Sequence, residues 1–256
     1  MRPYATSRGT FCPTKFGSRS SWARNPAGRL GCALPALPLL LAWFAWAQGA
    51  SSPLERVLDQ MDKTAASFHS AQASFVWDQY QRVVNETDSQ KGKVFYRKNG
   101  KDTQMAADIT DPDAKYVLVS DGKIQVYQPR IDQVTIYDPG KNRDTVESFM
   151  VLGFGGGGHD MLKTFDVQYL GTETVNGSET ARLDLIPKAQ SVRNSIAHII
   201  LWIDPERGVS LQQQLFEPSG DYRLAKYADI QINQKIPESV FKLRTTGKTK
   251  FVSPQG

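Results

Sequence analysis

The chain contains little cysteine, and all of it lies near the start. Cys12 and Cys32 are the only cysteines among the 256 residues. A domain formed by the later residues therefore has neither disulfides nor thiolate ligands for zinc, and it must be stabilised by an apolar core. The three histidines are far apart in the sequence, which argues against a metal site. No Gly-x-Ser-x-Gly nucleophile motif occurs, so we expect a protein without metal, cofactor or catalytic function.

Acidic residues are absent from the first 47 positions. The cations of this stretch are Arg2, Arg8, Lys15, Arg19, Arg24 and Arg29. Because the whole chain has 31 Lys and Arg against 26 Asp and Glu, the remainder is close to neutral. A neutral domain offers no basic surface to a phosphate backbone, and we expect no nucleic-acid partner.

Long hydrophobic runs are also scarce. The apolar segment from Leu34 to Ala47 has 14 residues and includes two prolines, fewer than the roughly 20 residues that a membrane-spanning helix needs. Cations followed by a short apolar segment and the small residues Ala45 and Ala47 are typical of a secretory signal peptide. We predict that residues 1–47 are a signal peptide cleaved after Ala47, and that residues 48–256 form one domain exported to the periplasm. A retained membrane anchor is the alternative.

Helical patterns occur at two places in the predicted domain. Ser52-Pro53-Leu54-Glu55 combines a capping serine, a proline at the first helical position and a glutamate three residues after the cap, and it predicts a helix over 53–69. A second, short helix is expected from Asp144 to Gly153, followed by a helical turn at 160–163.

Alternation of apolar and polar residues dominates the rest, with turn dipeptides such as Asn99-Gly100 and Asn176-Gly177 between the runs. The pattern predicts eleven or twelve antiparallel strands, at about 72–84, 90–98, 102–109, 115–120, 123–128, 132–138, 166–174, 179–187, 195–203, 208–217, 221–232 and 244–252. So many twisted strands must curl, and the helices are available to cover the concave side. The periodicity leaves open whether the enclosed volume is a packed core or a cavity.

A glycine-rich segment follows the second predicted helix. It formally matches the Gly-x-Gly-x-x-Gly pattern of dinucleotide sites, but a helix precedes it and the surrounding strands are antiparallel, which excludes that context. Glycine lacks the Cβ that restricts the backbone angles, so we predict a hinge beside a lid. Its residues are Gly153, Gly155, Gly156, Gly157 and Gly158.

Several segments in order resemble the LolA family, the periplasmic carriers that take lipoproteins to the outer membrane of Gram-negative bacteria. They are Phe68 to Phe75, Gly92 to Tyr96, Leu118 to Lys123, Val126 to Pro129, Leu201 to Asp204 and Phe241 to Leu243. The resemblance implies an α+β, mainly β fold: an unclosed antiparallel β-barrel of about eleven strands, covered by a helical lid and holding acyl chains in an apolar cavity. It also implies a monomer that binds lipoprotein or another acylated lipid, with a donor at the inner membrane and an acceptor at the outer membrane.

The expected cavity residues follow from the strand faces that we assign inward and from the lid helices. They are Phe75, Trp77, Val94, Tyr96, Ile124, Val126, Ile200 and Trp202 from the strands, with Phe149, Met150, Met161 and Leu162 from the lid. In the family a basic residue after the second strand helps to hold the lid closed, and Arg97 and Lys98 are the nearest candidates for this latch. The proline and aromatic residue that usually follow it are missing here. A lipid or lipoprotein sensor of the same fold, acting on a membrane partner, and a structural protein with a packed barrel are the alternatives to a carrier.

Overall fold

A twelve-stranded sheet forms the body of the protein in this computed structural model, which describes residues 51–100, 102–140 and 143–254. The predicted signal peptide and its cleavage site after Ala47 lie outside the described residues. None of the described helices is long and apolar enough to cross a bilayer.

The helices and strands follow the predicted order. The helices are α1 (Pro53–Ser67), α2 (Arg143–Met150), α3 (Gly158–Thr164) and α4 (Gln190–Arg193). The strands are β1 (Ser70–Gln81), β2 (Glu86–Asn99), β3 (Asp102–Asp111), β4 (Lys115–Ser120), β5 (Lys123–Gln128), β6 (Gln133–Tyr137), β7 (Phe165–Val175), β8 (Ser178–Pro187), β9 (His198–Asp204), β10 (Val209–Phe216), β11 (Tyr222–Ile232) and β12 (Lys250–Val252). Short 3₁₀ segments at Pro129–Ile131 and Glu238–Phe241, together with α4, were not predicted.

The strands pair in the order β12-β6-β5-β4-β3-β2-β1-β11-β10-β9-β8-β7. Neighbours are antiparallel except β12, which runs parallel to β6 along three residues. The two edge strands, β7 and β12, do not pair with each other, so the sheet is open. This confirms the expected mainly β fold with an unclosed antiparallel sheet and helical cover.

Helix α1 covers one half of the concave face. The Ser52 hydroxyl caps it by accepting a hydrogen bond from the Glu55 N–H at 3.1 Å. Its apolar stripe of Val57, Leu58 and Met61 is buried. This stripe packs with α3 and with inward residues of β8 and β9. We call this packed group the helix-covered core; its buried members are Val57, Leu58, Met61, Leu152, Met161, Phe165, Ala181, Leu183, Leu185, Ile199, Leu201 and Ile203.

A second core lies under the segment between α2 and α3. Phe154 is fully buried there, with its ring stacked on Tyr96 at 5.0 Å between centroids and edge-on to Tyr227 at 4.8 Å. On the opposite, convex face, the segment around the Glu238–Phe241 turn places Ile236 and Phe241 against β3 and β4. The chain therefore buries both faces of the sheet at its centre.

The glycine-rich segment is a packed turn, and the hinge role of Gly153, Gly155, Gly156, Gly157 and Gly158 stays a prediction. Gly153 and Gly155 have φ of +75° and +84°, a region that L residues rarely adopt. A Cβ at these five positions would lie 3.0 Å or less from a neighbouring atom: 2.3 Å at 153, 2.5 Å at 155, 2.7 Å at 156, 3.0 Å at 157 and 2.4 Å at 158. Glycine is favoured here because backbone and side chains approach closely and because two of the positions have positive φ.

Candidate functional site

An apolar cavity of about 300 Å³ lies on the concave face between the sheet and α2. Its lining comes from β1, β2, β3, β9, β10, β11, α2 and Leu152. The lining residues are Phe75, Trp77, Val94, Tyr96, Met105, Ala107, Phe149, Leu152, Ile199, Gln213, Leu215, Arg223, Ala225 and Tyr227. This is the size and chemical character of a site for a small apolar ligand.

Five predicted residues are brought together in this cavity: Phe75, Trp77, Val94, Tyr96 and Phe149. The strand register explains why. Phe75 pairs with Tyr227 and Trp77 with Ala225, and paired residues of antiparallel strands point to the same face. Their role in lipid binding stays a prediction.

Other predicted residues lie on the concave side but outside the cavity. Ile124 and Met150 line a small separate space beside α2, and Val126 is paired with Val117 further along the sheet. Met161 belongs to the helix-covered core and Leu162 packs against it, where α3 contacts α1. The lid thus contributes Phe149 to the cavity, while α3 serves the core.

Ile200 and Trp202 face away from the cavity, which corrects their inward assignment. Leu201 pairs with Leu183 and Gln213, and it is this residue that points to the concave face. Successive side chains of a strand alternate between faces, so its neighbours must point outward. Both are buried there in a small convex-face cluster with Val175 and Leu211.

The two latch candidates occupy different faces. Arg97 is on the convex face, where its guanidinium contacts the Glu238 carboxylate, donates to Gln104 Oε1 at 2.7 Å and lies 4.2 Å from the centre of the Phe241 ring. It holds the C-terminal segment and cannot latch a lid on the opposite face. Lys98 lines a cleft between α1 and the segment joining α2 to α3, so its assignment as a latch stays a prediction.

The sequence pattern missed the polar members of the lining. Gln213 donates from Nε2 to the carbonyl oxygen of Leu152 at 2.6 Å, which attaches the end of the α2 segment to β10. Arg223 lies at the exposed end of the cavity and forms an ion pair with Glu217 at 2.9 Å. Among the lining residues, Arg223 is the one charged side chain. Arg223 is two positions from the inward residue Ala225 on β11, and Gln213 is two positions from the inward residue Leu215 on β10. This alternate spacing along each strand is the signal that could have identified them.

Two phenols lie at the buried end of the cavity. Burial raises the pKa of Tyr96, and the neighbouring Tyr227 raises it further. Burial also raises the pKa of Tyr227, although its hydrogen bond with Tyr96 opposes this. Both hydroxyls therefore stay neutral at physiological pH, and this end of the cavity carries no charge.

A histidine joins α1 to α3 beside the helix-covered core. The Nδ1 of His159 contacts the Asp62 carboxylate, and Nε2 lies 3.0 Å from Glu55 Oε1. Glu55, Asp59 and His159 are the group of described residues whose ligand atoms come within 4.8 Å of one another, as a metal site requires. These residues are exposed or half-buried, and both imidazole nitrogens already face carboxylates. An interhelical ion pair accounts for the arrangement.

Comparison with known proteins gives similar structures at low identity. No protein-family model and no curated protein sequence matches the chain. A LolA superfamily protein from Nitrosomonas europaea is 13% identical over 75% of this chain and 99% of its own, with a TM-score of 0.38. The lipoprotein LppX from Mycobacterium tuberculosis is 14% identical over 73% of this chain and 99% of its own, with a TM-score of 0.43.

MucB, solved in complex with MucA from Pseudomonas aeruginosa, is 14% identical over 75% of this chain, with a TM-score of 0.45. The present chain spans 61% of the length of that neighbour. LolA superfamily proteins are thus among the structures that resemble this chain, as the sequence motifs predict. At these identities and TM-scores, the likenesses assign no ligand or partner to it.

Proposed function

We propose that the protein is a carrier that shields acyl chains from water in the concave-face cavity, without covalent chemistry. The cavity itself carries the proposal. It is lined by aromatic and aliphatic side chains from six strands and α2, and its buried end holds no charge. A binding role in the periplasm is consistent with the predicted signal peptide, and the cargo would be a lipoprotein or another acylated lipid.

The energetic benefit of such a cavity is substantial. A volume of 300 Å³ accommodates roughly ten methylene groups if each occupies about the 30 Å³ of a liquid water molecule. At about 0.8 kcal/mol per buried CH₂, full burial is worth at most about 8 kcal/mol. This is enough to extract an acyl chain from water but less than the energy that anchors a multiply acylated protein in a bilayer. Release would therefore need an acceptor of similar apolarity, such as the outer membrane.

Filling the cavity tests whether it is the binding site. Ala225 lies in its wall, and Ala228 lies on the same strand but is exposed and outside the lining. Ala225→Phe should weaken binding of dansyl-undecanoate by about tenfold or more, or about 1.4 kcal/mol, while Ala228→Phe binds like the unaltered protein. Equal binding by both variants, with unchanged thermal melts, would place the site elsewhere.

Transfer between membranes tests the carrier role. The protein should accelerate movement of a fluorescent acyl lipid from donor vesicles to acceptor vesicles, and Ala225→Phe should lose this acceleration. Binding without transfer would instead favour the lipid-sensor role.

A further inference from the structure

The apolar cavity adjoins a more polar cleft at its exposed end. This cleft has a volume of about 480 Å³ and lies between the β8–β9 connection and the β10–β11 turn. Leu215 and Arg223 line both spaces. The polar groups of the cleft come from Asn194, Ser195, Glu217 and Ser219. An apolar volume that shares its wall with a larger space of mixed polar and apolar lining suits a molecule with one apolar and one polar end.

The direction of such a ligand follows from β11. Tyr227, Ala225 and Arg223 are alternate residues of this strand and all line the cavity. Tyr227 is 9% exposed and contacts the buried Phe154 ring, whereas the Arg223 side chain is 44% exposed. The apolar end of a ligand therefore points towards Tyr227 and its polar end towards Arg223.

The volume of the cavity limits the number of chains. Roughly ten methylene groups fill 300 Å³, which is one acyl chain of medium length and not two or three. Phe154 and Phe149 occupy the space on either side: Phe154 is stacked on Tyr96, and Phe149 packs edge-on against Phe165 at 5.4 Å. A second chain would have to displace these aromatic contacts.

The charges at the exposed end select the head group. The Arg223 guanidinium and the Glu217 carboxylate are 2.9 Å apart and are both accessible, at 44% and 27% exposure. A purely anionic head would pair with Arg223 but be repelled by Glu217. A head that carries one anionic and one cationic group can pair with both and leave neither residue unpaired.

We propose that cavity and cleft together bind an amphiphile with a single acyl chain and a zwitterionic head, with its anionic group at Arg223 and its cationic group at Glu217. The proposal rests on the proposed acyl-chain binding and names the class of cargo. Asn194, Ser195 and Ser219 supply hydrogen bonds to the uncharged polar part of the head.

Competition among defined lipids tests the class of ligand. Displacement of dansyl-undecanoate from the full chain would be measured with dodecanoyl lysophosphatidylethanolamine, didodecanoyl phosphatidylethanolamine, dodecanoate and dodecanol. We expect the lysophospholipid to bind about tenfold or more tightly than the other three. Tighter binding of the diacyl lipid would overturn this proposal but leave acyl-chain carriage intact. Failure of all four lipids and of the probe to bind would overturn both.

Two charge variants test the head-group assignment by sign. Arg223→Gln should weaken lysophospholipid binding by about tenfold and leave dodecanol unchanged. Glu217→Gln should weaken lysophospholipid binding but strengthen dodecanoate binding, because it removes a competing carboxylate. Arg130→Gln breaks an exposed pair with Asp113, neither of which lines the cavity or the cleft, and is the matched control, with no expected effect. Unchanged binding in both Arg223→Gln and Glu217→Gln, with thermal melts like that of the control, would overturn the assignment.

Discussion

The concave face of the sheet is filled in one half of the molecule and left partly empty in the other. Under α1 and α3, Leu183, Leu185 and Leu201 are 0% exposed. Between β3 and β11, the corresponding inward positions include Ala107 and Ala225, and a cavity of about 300 Å³ remains. Both halves have the same strand alternation, so alternation alone does not produce the cavity.

The difference comes from side-chain size and from the cover. The filled half lies under α1, which has fifteen residues and an apolar stripe that matches the leucines below. The other half lies under α2, which has eight residues, and under the single large ring of Phe154. Small residues beneath a short cover leave space that the neighbouring side chains cannot fill without leaving their rotamers. A packed core and a binding cavity can therefore share one sheet.

Truncating one leucine inside the helix-covered core and one at the cavity wall measures how differently these two places are packed. Leu201→Ala removes a fully buried side chain from the helix-covered core and should lower the free energy of unfolding by about 2–5 kcal/mol. Leu215→Ala truncates a half-buried leucine that packs against the edge of this core and borders the cavity, where empty space already exists, and it should cost about half as much or less. Chemical denaturation of both variants gives the comparison. Equal losses would mean that the cavity half is packed as tightly as the core.

The glycine-rich turn offers a smaller effect at the boundary between the two halves. Gly155→Ala places a Cβ 2.5 Å from the Phe68 ring at a φ of +84°, and it should destabilise the protein by about 1–3 kcal/mol. Gly177→Ala has a similar φ of +80° but nothing within 4 Å, so it measures the backbone strain alone, about 1 kcal/mol. Thermal melts distinguish the two. A Gly155→Ala protein as stable as the original, but slow in lipid transfer, would instead support the hinge prediction.

The sequence predicted the strands well because most of them are apolar on one face only. It placed Phe75, Trp77, Val94 and Tyr96 on the correct face for this reason. Strand β9 is apolar on both faces, from Ile199 to Ile203. Because apolar and polar residues do not alternate there, the sequence does not show which face points inward, and the inward assignment of Ile200 and Trp202 is wrong. In an apolar run of this kind, only the pairing with neighbouring strands determines which side chains point inward.

The assignment of Arg97 and the polar lining of the cavity escaped the sequence analysis for different reasons. Tyr96 points inward, so the adjacent Arg97 must point outward, and strict use of the strand period would have excluded it. Arg223 and Gln213 are polar residues at inward positions, which a search for apolar residues cannot find. The contact of the Glu238–Phe241 turn with the convex face joins residues that are distant in sequence. Such a contact produces no periodic pattern in the sequence from which it could be predicted.

The two tryptophans of the described chain provide an optical test of the two faces. Trp77 lines the cavity, whereas Trp202 is buried in the convex-face cluster. Addition of an acyl ligand should therefore shift the emission of the protein, and Trp77→Phe should abolish the shift while Trp202→Phe retains it. The measurement is a fluorescence titration, with binding followed separately by displacement of a probe. A shift that depends on Trp202 would contradict the assigned position of the ligand.

The smallest expected effect is the pH dependence of the contact between α1 and α3, the helices that cover the filled half of the sheet. Hydrogen bonds that His159 donates to Asp62, and then to Glu55, raise the pKa of this histidine above its ordinary value of 6.5. Burial acts to raise the pKa of Asp62, but the hydrogen bonds from His159 prevail and lower it below 3.8. A raised pKa means that the protonated form of His159 stabilises the folded state. This contribution to the free energy of unfolding is complete below about pH 6.5 and is lost as the pH rises through the raised pKa. The Asp62 contribution is present above about pH 3.8 and is lost as the pH falls through the lowered value.

The contact between α1 and α3 should therefore be strongest in mildly acidic solution and weaken towards alkaline pH. Thermal melts between about pH 6 and pH 9 measure this effect. The His159→Gln protein should lose less stability across that range than the original protein, because it lacks the contribution of this histidine. His69→Gln alters an exposed histidine outside this contact and should keep the original pH profile. Since His159, Asp62 and Glu55 are each about 40% exposed or more, solvent screens the pair and the effect stays small. An identical pH profile in His159→Gln and the original protein would show that His159 does not contribute to the pH dependence of stability.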